Sequence, residues 1–190
     1  DLDPALKQRL QDAQDETNDM QQLLNDLLDL SRSDSGRLQV KKEAVPLQPL
    51  LETIVRVQGA AYGRTLELKA NDQAALVALG DPSRLHQVLV NLVENAHKYS
   101  PPDQPIQLTL ARVAEGLQVE VIDHGIGISS TDQPHIFERF HRGSNTGGYS
   151  GSGLGLSVVK LLVEAIDHGI GISSTDQPHI FERFHRGSNT

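Results

Sequence analysis

Apolar residues near the start of the chain recur at alternating spacings of four and three. The stripe comprises Leu6, Leu10, Ala13, Thr17, Met20, Leu24 and Leu27. This heptad pattern predicts a long helix, and Asp3-Pro4 marks its start because an N-cap carboxylate followed by proline is typical there. The stripe is narrow and its flanks are polar, which favours packing along another helix over a surface helix lying on its own domain.

The positions that follow predict a mixture of strands and helices. A polar linker at 31–36 ends in glycine and separates them from the first helix. Strands are predicted at 38–41, 66–68, 74–79, 106–113 and 117–123, and the last two form a hairpin. Helices are predicted at 47–62, 81–99 and 153–165, with a short helical stretch at 134–140. Residues 124–152 otherwise form a long polar loop, of a length that is usually functional or mobile.

The chain has 190 residues, a formal net charge of −8 and no cysteine. This length suits one full domain plus a short appendage. The negative charge argues against nucleic acid or an anionic membrane as the main partner, and the missing thiols exclude disulfides and thiolate chemistry. No apolar run approaches the ~18–20 residues that span a bilayer. Because Asp1 stands in place of a start methionine, we expect a piece of a longer protein.

Three polar side chains share one face of the helix predicted at 81–99. Asn91, Asn95 and Lys98 lie at i, i+4 and i+7. Asparagine oxygens suit a magnesium ion that phosphates and water also hold, and Lys98 can neutralise phosphate charge. Glu94, beside this face, can polarise a nucleophile. The alternative is a solvated amphipathic helix, and both interpretations can hold because the opposite face is apolar.

Two glycine-rich turns follow this helix. Asp123 is separated by one residue from Gly125-Ile-Gly127, where its carboxylate can accept a hydrogen bond from an adenine amino group, although an ordinary Asp-x-Gly turn is the alternative. Gly151-Ser-Gly153-Leu-Gly155 precedes a helix, so it is either a phosphate site or a flexible loop. Between the turns, Arg139 and Arg142 are either γ-phosphate contacts or solvated surface.

These clusters occur in a fixed order, as Asn91 to Tyr99, Asp123 to Gly127, Phe137 to Phe140 and Gly151 to Leu156. They resemble the N, G1, F and G2 boxes of bacterial sensor histidine kinases, which belong to the ATPase superfamily shared with gyrase, the Hsp90 chaperones and MutL. The resemblance extends from about residue 1 to residue 165, and four boxes in order are far more specific than any one alone.

The resemblance implies an α+β fold. It is a two-layer α/β sandwich, with helices covering one face of a mixed sheet, preceded by a long coiled-coil-type helix. It divides the chain into the second helix of a dimerisation domain (1–32), a catalytic ATP-binding domain (33–165) and a terminal segment (166–190). The loop of residues 124–152 corresponds to the ATP lid and is called the lid below.

The same resemblance implies roles for single residues. Asn91 and Asn95 hold Mg²⁺, Asp123 reads adenine, and Tyr99 either stacks on the base or caps its helix. The implied catalytic residues are Glu94, Lys98 and Arg139. Further ATP-binding residues are Lys98, Gly125, Gly127, Phe137, Arg142, Gly151, Gly153, Leu154, Gly155 and Leu156, with Phe137 and Phe140 pinning the lid onto the domain.

The implied reaction transfers the γ-phosphoryl group of Mg-ATP to a histidine on a separate helix, for relay to a response regulator receiver domain. The implied setting is cytoplasmic, as a homodimer through the N-terminal helix, without membrane contact by this segment. None of the eight histidines lies in the family's phosphoacceptor motif, so self-phosphorylation is not expected. The alternative is a non-catalytic nucleotide-binding dimerisation module or an inactive fragment.

Residues 122–146 recur without change at 166–190. Stacked repeat folds normally need three or more units, and this pair contains only a turn and a lid segment. The second copy lacks both the preceding strand and the following glycine turn, so we expect no second ATP site. It is expected to be a loose tail, to supply an edge strand through 165–167, or to exchange with a neighbouring molecule.

Overall fold

The computed structural model describes residues 3–70, 76–114 and 116–170. The chain forms two compact units, of which the first ends at Leu38 and the second begins at Gln39. Within the described ranges, no helix is both long and apolar enough to cross a membrane.

The first unit contains one helix, α1, at Pro4–Asp34. Its start is the predicted one, since Asp3 Oδ1 accepts a hydrogen bond from the Ala5 amide at 3.2 Å. The heptad stripe is exposed at every position in the single chain, reaching 72% exposure at Met20. The helix therefore presents a continuous apolar seam to solvent.

Among its described residues, the second unit contains five strands. They are β1 (Glu43–Pro46), β2 (Leu66–Ala70), β3 (Val77–Gly80), β4 (Ile106–Val113) and β5 (Gly116–Ile122). β1 and β3 pair antiparallel, while a second sheet has the order β2-β4-β5, with β4 parallel to β2 and antiparallel to β5. The predicted α+β class, mixed sheet and hairpin are confirmed.

The part of this unit that the structure describes also has three α-helices, α2 (Leu47–Tyr62), α3 (Pro82–Tyr99) and α4 (Gly155–Ile170). The bounds of α2 agree with the prediction because Gly63, at a φ of 58°, ends the helix in the left-handed conformation. Alternate β4 residues are fully buried against the helices. The core cluster includes Ile106, Leu108 and Leu110 of β4, Leu51 and Ile54 of α2, and Leu89 and Val93 of α3.

Two predicted elements are wrong. No strand forms at 38–41, because the Lys41 amide donates to Asp81 Oδ2 at 3.0 Å and strand pairing begins only at Glu43. The helical stretch predicted at 134–140 is reduced to one 3₁₀ turn at Gln133–His135. Phe140 has a φ of 62°, which no right-handed helix accommodates.

The helix α4 extends five residues beyond its predicted end and into the second copy of the repeat. Residues 165–167 are helical, so the expected edge strand is wrong. Ile166 is only 8% exposed, and its Cγ2 lies 3.5 Å from where a Cβ at Gly80 would be. Residues 171–190, and with them the expectations of a loose or exchanged tail, lie outside the described residues.

Candidate functional site

The helix α3 is anchored by the carboxylate that precedes it. Asp81 Oδ1 accepts from the amides of Ser83 at 2.9 Å and Arg84 at 3.3 Å, and Oδ2 accepts from the Lys41 amide. Burial raises the pKa of Asp81, but these backbone hydrogen bonds and the Arg84 charge outweigh it, so the pKa lies below its usual value. The Asp81 carboxylate is therefore charged at neutral pH, and it fixes the residue at which α3 begins.

The glycine turn before α4 packs on the polar face of α3. A Cβ atom added at Gly151 would overlap the Lys98 ammonium group, and one at Gly155 would lie 3.9 Å from Asn95 Nδ2. Asn91 is buried on the same face, while Asn95 and Lys98 are half-buried. The structure thus brings together the amides, the lysine and the glycine turn, which the sequence separates by more than 50 residues.

The Asp123 turn closes against the end of α3. Asp123 Oδ1 accepts hydrogen bonds from the Gly125 amide at 2.7 Å and from Ser100 Oγ at 3.0 Å. The Ile126 amide donates to the Tyr99 carbonyl at 3.1 Å, and a Cβ at Gly125 would stand 2.5 Å from that carbonyl oxygen. Position 125 therefore requires glycine for close backbone approach.

A cleft of about 490 Å³ opens beside this turn. Its lining is His97, Lys98, Tyr99, Ser100, Pro101, Pro102, His124, Gly125, Ile126 and Tyr149. Sequence reasoning missed Ser100 and Tyr149. Ser100 could have been found from the sequence, because its hydroxyl comes directly after α3, the helix that carries Asn91 and Asn95. Tyr149 was less obvious, as an aromatic residue within a run of small polar residues.

Arg64, two residues before β2, contacts the other side of the end of α3. Its buried guanidinium donates to the carbonyls of His97 at 3.1 Å, Pro101 at 2.7 Å and Gln104 at 2.6 Å. Burial lowers the pKa of His97 and the Arg64 charge lowers it further, so the imidazole that stacks on Tyr62 at 3.9 Å is neutral at pH 7. The end of α3 and the rim of the cleft are therefore rigidly held.

The lid has its own polar framework. Asp132 Oδ2 accepts from the Ser144 amide at 2.9 Å and its hydroxyl at 2.8 Å, and these bonds lower the pKa of Asp132. The His135 ring, 2.7 Å from Glu138, likewise lowers the pKa of Glu138. Asn145 Nδ2 donates to the Gly127 carbonyl at 3.1 Å, which joins the middle of the lid to the Asp123 turn.

The predicted pinning of the lid by Phe140 is wrong, because this side chain is 63% exposed, whereas Phe137 is half-buried. The backbone makes the contact instead. A Cβ at Gly153 would lie 2.8 Å from the Phe140 carbonyl carbon and 2.6 Å from the His141 carbonyl oxygen. The left-handed conformations of Phe140 and Gly153 thus permit close packing of the lid on the glycine turn.

The two arginines and the glutamate occupy distinct surroundings. Arg142 donates to the carbonyls of Thr146, at 3.2 Å, and Tyr149, so it lies on the lid backbone. Arg139 is exposed. Glu94 is half-buried near Tyr62, and its charge adds to burial in raising the pKa of that phenol.

Residues 80–167 match the family described as histidine kinase-, DNA gyrase B-, and HSP90-like ATPase. SenX3, a sensor-like histidine kinase of Mycobacterium tuberculosis, is 34% identical over 76% of this chain and 36% of its own length. Drug sensory protein A of Synechocystis is 37% identical over 81% of this chain and 25% of its own length. The histidine kinase AdeS of Acinetobacter baumannii shares the fold, at 23% identity and a TM-score of 0.64, over 87% of this chain and 75% of that chain.

The matched residues 80–167 define the class of this part of the chain, an ATPase domain of the histidine kinase, gyrase B and HSP90 type, and the fold agrees with it. Within that class the chain is homologous to sensor histidine kinases, and these relatives do not favour the non-catalytic alternative. The chain spans 36% and 25% of the length of the two curated relatives.

Proposed function

We propose that the second unit binds Mg-ATP and transfers its γ-phosphoryl group to a histidine on a separate helix, for relay to a response regulator. The observation that carries this proposal is the packing of the glycine turn at 151–155 against Lys98 and Asn95. Turn amides, a helix N-terminus and an ammonium group then surround one space, as a polyphosphate requires. The homology to sensor histidine kinases supports the same reaction.

Magnesium would be held by the side-chain oxygens of Asn91 and Asn95. Amide oxygens are hard, neutral ligands, and they suit an ion that takes the rest of its shell from phosphates and water. Within the described ranges, no three His, Asp or Glu side chains converge as a separate metal cage. When bound, the ion would neutralise charge on the transferring phosphoryl group.

The base would enter the cleft beside the Asp123 turn. A carboxylate offers about four acceptor positions, and the bonds from Ser100 and Gly125 use two of them. The remaining capacity suits an exocyclic amino group, which adenine has and which a keto-substituted purine lacks at that position. This arrangement favours ATP over GTP.

In the transfer step, an imidazole nitrogen of the acceptor histidine bonds to the γ-phosphorus as the bond to the β,γ-bridging oxygen breaks, and ADP leaves. Glu94 takes the proton that the acceptor imidazole loses, while Lys98, with Arg139 as a second cation, neutralises charge on the phosphates. Gly125 and Gly127 admit the base, and Phe137 supports the lid. Because this chain lacks the acceptor motif, that helix must be supplied separately.

The first unit would join two copies of the chain. The exposed seam of α1 supports this proposal, since a narrow heptad stripe is the pattern of helix-on-helix packing. The response regulator is the proposed receiver of the phosphoryl group, as in the kinases to which the chain is homologous.

Phosphotransfer in trans tests the proposal. A two-helix dimerisation domain that carries an acceptor histidine is mixed with this chain and Mg-ATP, and acid-labile phosphate is measured. Asn95→Ala should abolish transfer, because it removes a magnesium ligand, whereas His86→Ala, at an exposed position on the same helix, should not. Undiminished transfer by Asn95→Ala would remove Asn95 from the mechanism.

A further inference from the structure

Tyr149 is a lid residue outside the four boxes, and its ring contacts Tyr99 at the end of α3. The ring centroids of Tyr149 and Tyr99 are 5.1 Å apart, and their planes meet at 60°. Both rings line the cleft that also contains Gly125 and Ile126. Two aromatic rings at this angle form a corner that offers one ring face and one ring edge to a planar guest.

The lid holds Tyr149 at this place through Arg142. The Arg142 guanidinium donates to the Tyr149 carbonyl and, at 3.2 Å, to the Thr146 carbonyl, so it braces the lid turn from which Tyr149 projects. The Tyr149 amide closes that turn by donating to the Thr146 carbonyl at 3.0 Å. Arg142 is therefore occupied in positioning Tyr149 in this conformation of the lid.

The corner is suited to an uncharged aromatic ligand. Burial raises the pKa of Tyr99 against the opposing charge of Arg142, so the phenol is neutral at pH 7. The cleft of about 490 Å³ has room for a purine, and the Asp123 turn lies along its wall. The neighbouring Lys98 is 5.5 Å from the Tyr99 ring centroid, on the side toward the glycine turn.

We propose that Tyr149 is a base-binding residue of the lid, which stacks with Tyr99 on the nucleotide base, and that Arg142 positions it. This inference rests on the proposed function of the site, which it extends to the lid.

Calorimetric titration with two ligands tests the inference. Mg-ATP and magnesium tripolyphosphate share the phosphates, but only ATP has a base. Tyr149→Ala should weaken ATP about tenfold, within the range for losing one base–aromatic stack, and leave tripolyphosphate unchanged. Tyr149→Phe, which keeps the ring, should restore ATP affinity, and Ser150→Ala is the matched exposed control. Arg142→Gln should weaken ATP severalfold and tripolyphosphate not at all.

Tyrosine fluorescence provides a second reading, because the chain has three tyrosines and no tryptophan. In a Tyr62→Phe background only the corner emits, so ATP should change the emission and tripolyphosphate should not. Equal weakening of both ligands by Tyr149→Ala would show that the residue only shapes the lid, and unchanged ATP affinity would show no contact; either overturns the inference. A wild-type chain that binds neither ligand would instead overturn the proposed function.

Discussion

Five consecutive residues, Ile-Asp-His-Gly-Ile, occur twice in this chain with opposite structures. At 122–126 the isoleucine ends β5 and the remaining residues form the Asp123 turn. At 166–170 the same five residues form the last part of α4. The same five residue types thus form a strand end and a turn in one place and a helix in the other.

The difference shows that the preceding residues decide the structure. Ile122 is the last residue of a strand that is already paired, and Gln107 of β4 lies opposite it. Ile166 follows a helix whose apolar face is buried through Val158, Val159 and Leu162. Extending a formed helix costs far less than starting one, so α4 accommodates even a glycine, which costs about 1 kcal/mol relative to alanine.

Replacing each of the two equivalent glycines, Gly125 and Gly169, by alanine should give the largest difference in ATP affinity between the two copies. Gly125→Ala places a methyl group 2.5 Å from the Tyr99 carbonyl and should reduce ATP affinity by roughly 100-fold or more. Gly169→Ala, within the helix, should leave affinity unchanged and stabilise the fold by about 0.5–1 kcal/mol. Calorimetry and thermal unfolding of both variants measure the contrast, and equal effects would refute it.

The two aspartates should differ by a smaller factor. Asp123→Asn removes the charged acceptor of the turn and should weaken ATP about 10- to 100-fold, since hydrogen bonds to charged groups contribute roughly 1.5–3 kcal/mol. Asp167→Asn lies in a helix rather than in a turn and should change affinity less than twofold. If Asp167→Asn weakened ATP as much as Asp123→Asn, the second copy would have to contribute to the site.

Two deletions should have the smallest effect on ATP binding and still differ in stability. Removing residues 171–190 keeps all of α4 and should leave ATP affinity unchanged. Removing 166–190 also deletes the last five residues of α4 and exposes the pocket of Ile166, so it should cost about 2 kcal/mol of unfolding free energy. Denaturant titration distinguishes them, and equal stability would show that Ile166 is not part of the core.

Elements with local stop and start signals were predictable from the sequence. Gly63 and the Asp81-Pro82 cap set the bounds of α2 and α3, and the periodicity of α3 placed Asn91, Asn95 and Lys98 on one face. The strand expected at 38–41 failed because alternation alone does not tell which residues find a partner strand. The predicted end of α4 was wrong because the repeated residues are identical in both copies and carry no information about their different surroundings.

The candidate site likewise has features that the sequence predicts and features that it does not. The N, G1 and G2 boxes could be placed from their residue types and order, and the structure packs the two glycine turns against α3. Tyr149 could not, because its contact with Tyr99 joins residues 50 positions apart through a loop without periodicity. The exposure of Phe140 was also hidden, since it depends on one left-handed backbone conformation.

The way Arg64 holds the rim of the cleft has a consequence for how this site can evolve. Its guanidinium binds main-chain carbonyls of residues 97–104, and every residue type has a carbonyl. The exposed side chains of Pro101, Pro102 and Asp103 can therefore be replaced without loosening the rim. The side chains along this edge are free to diverge among descendants, while the backbone beneath them is held by a distant arginine and the Asp123 turn.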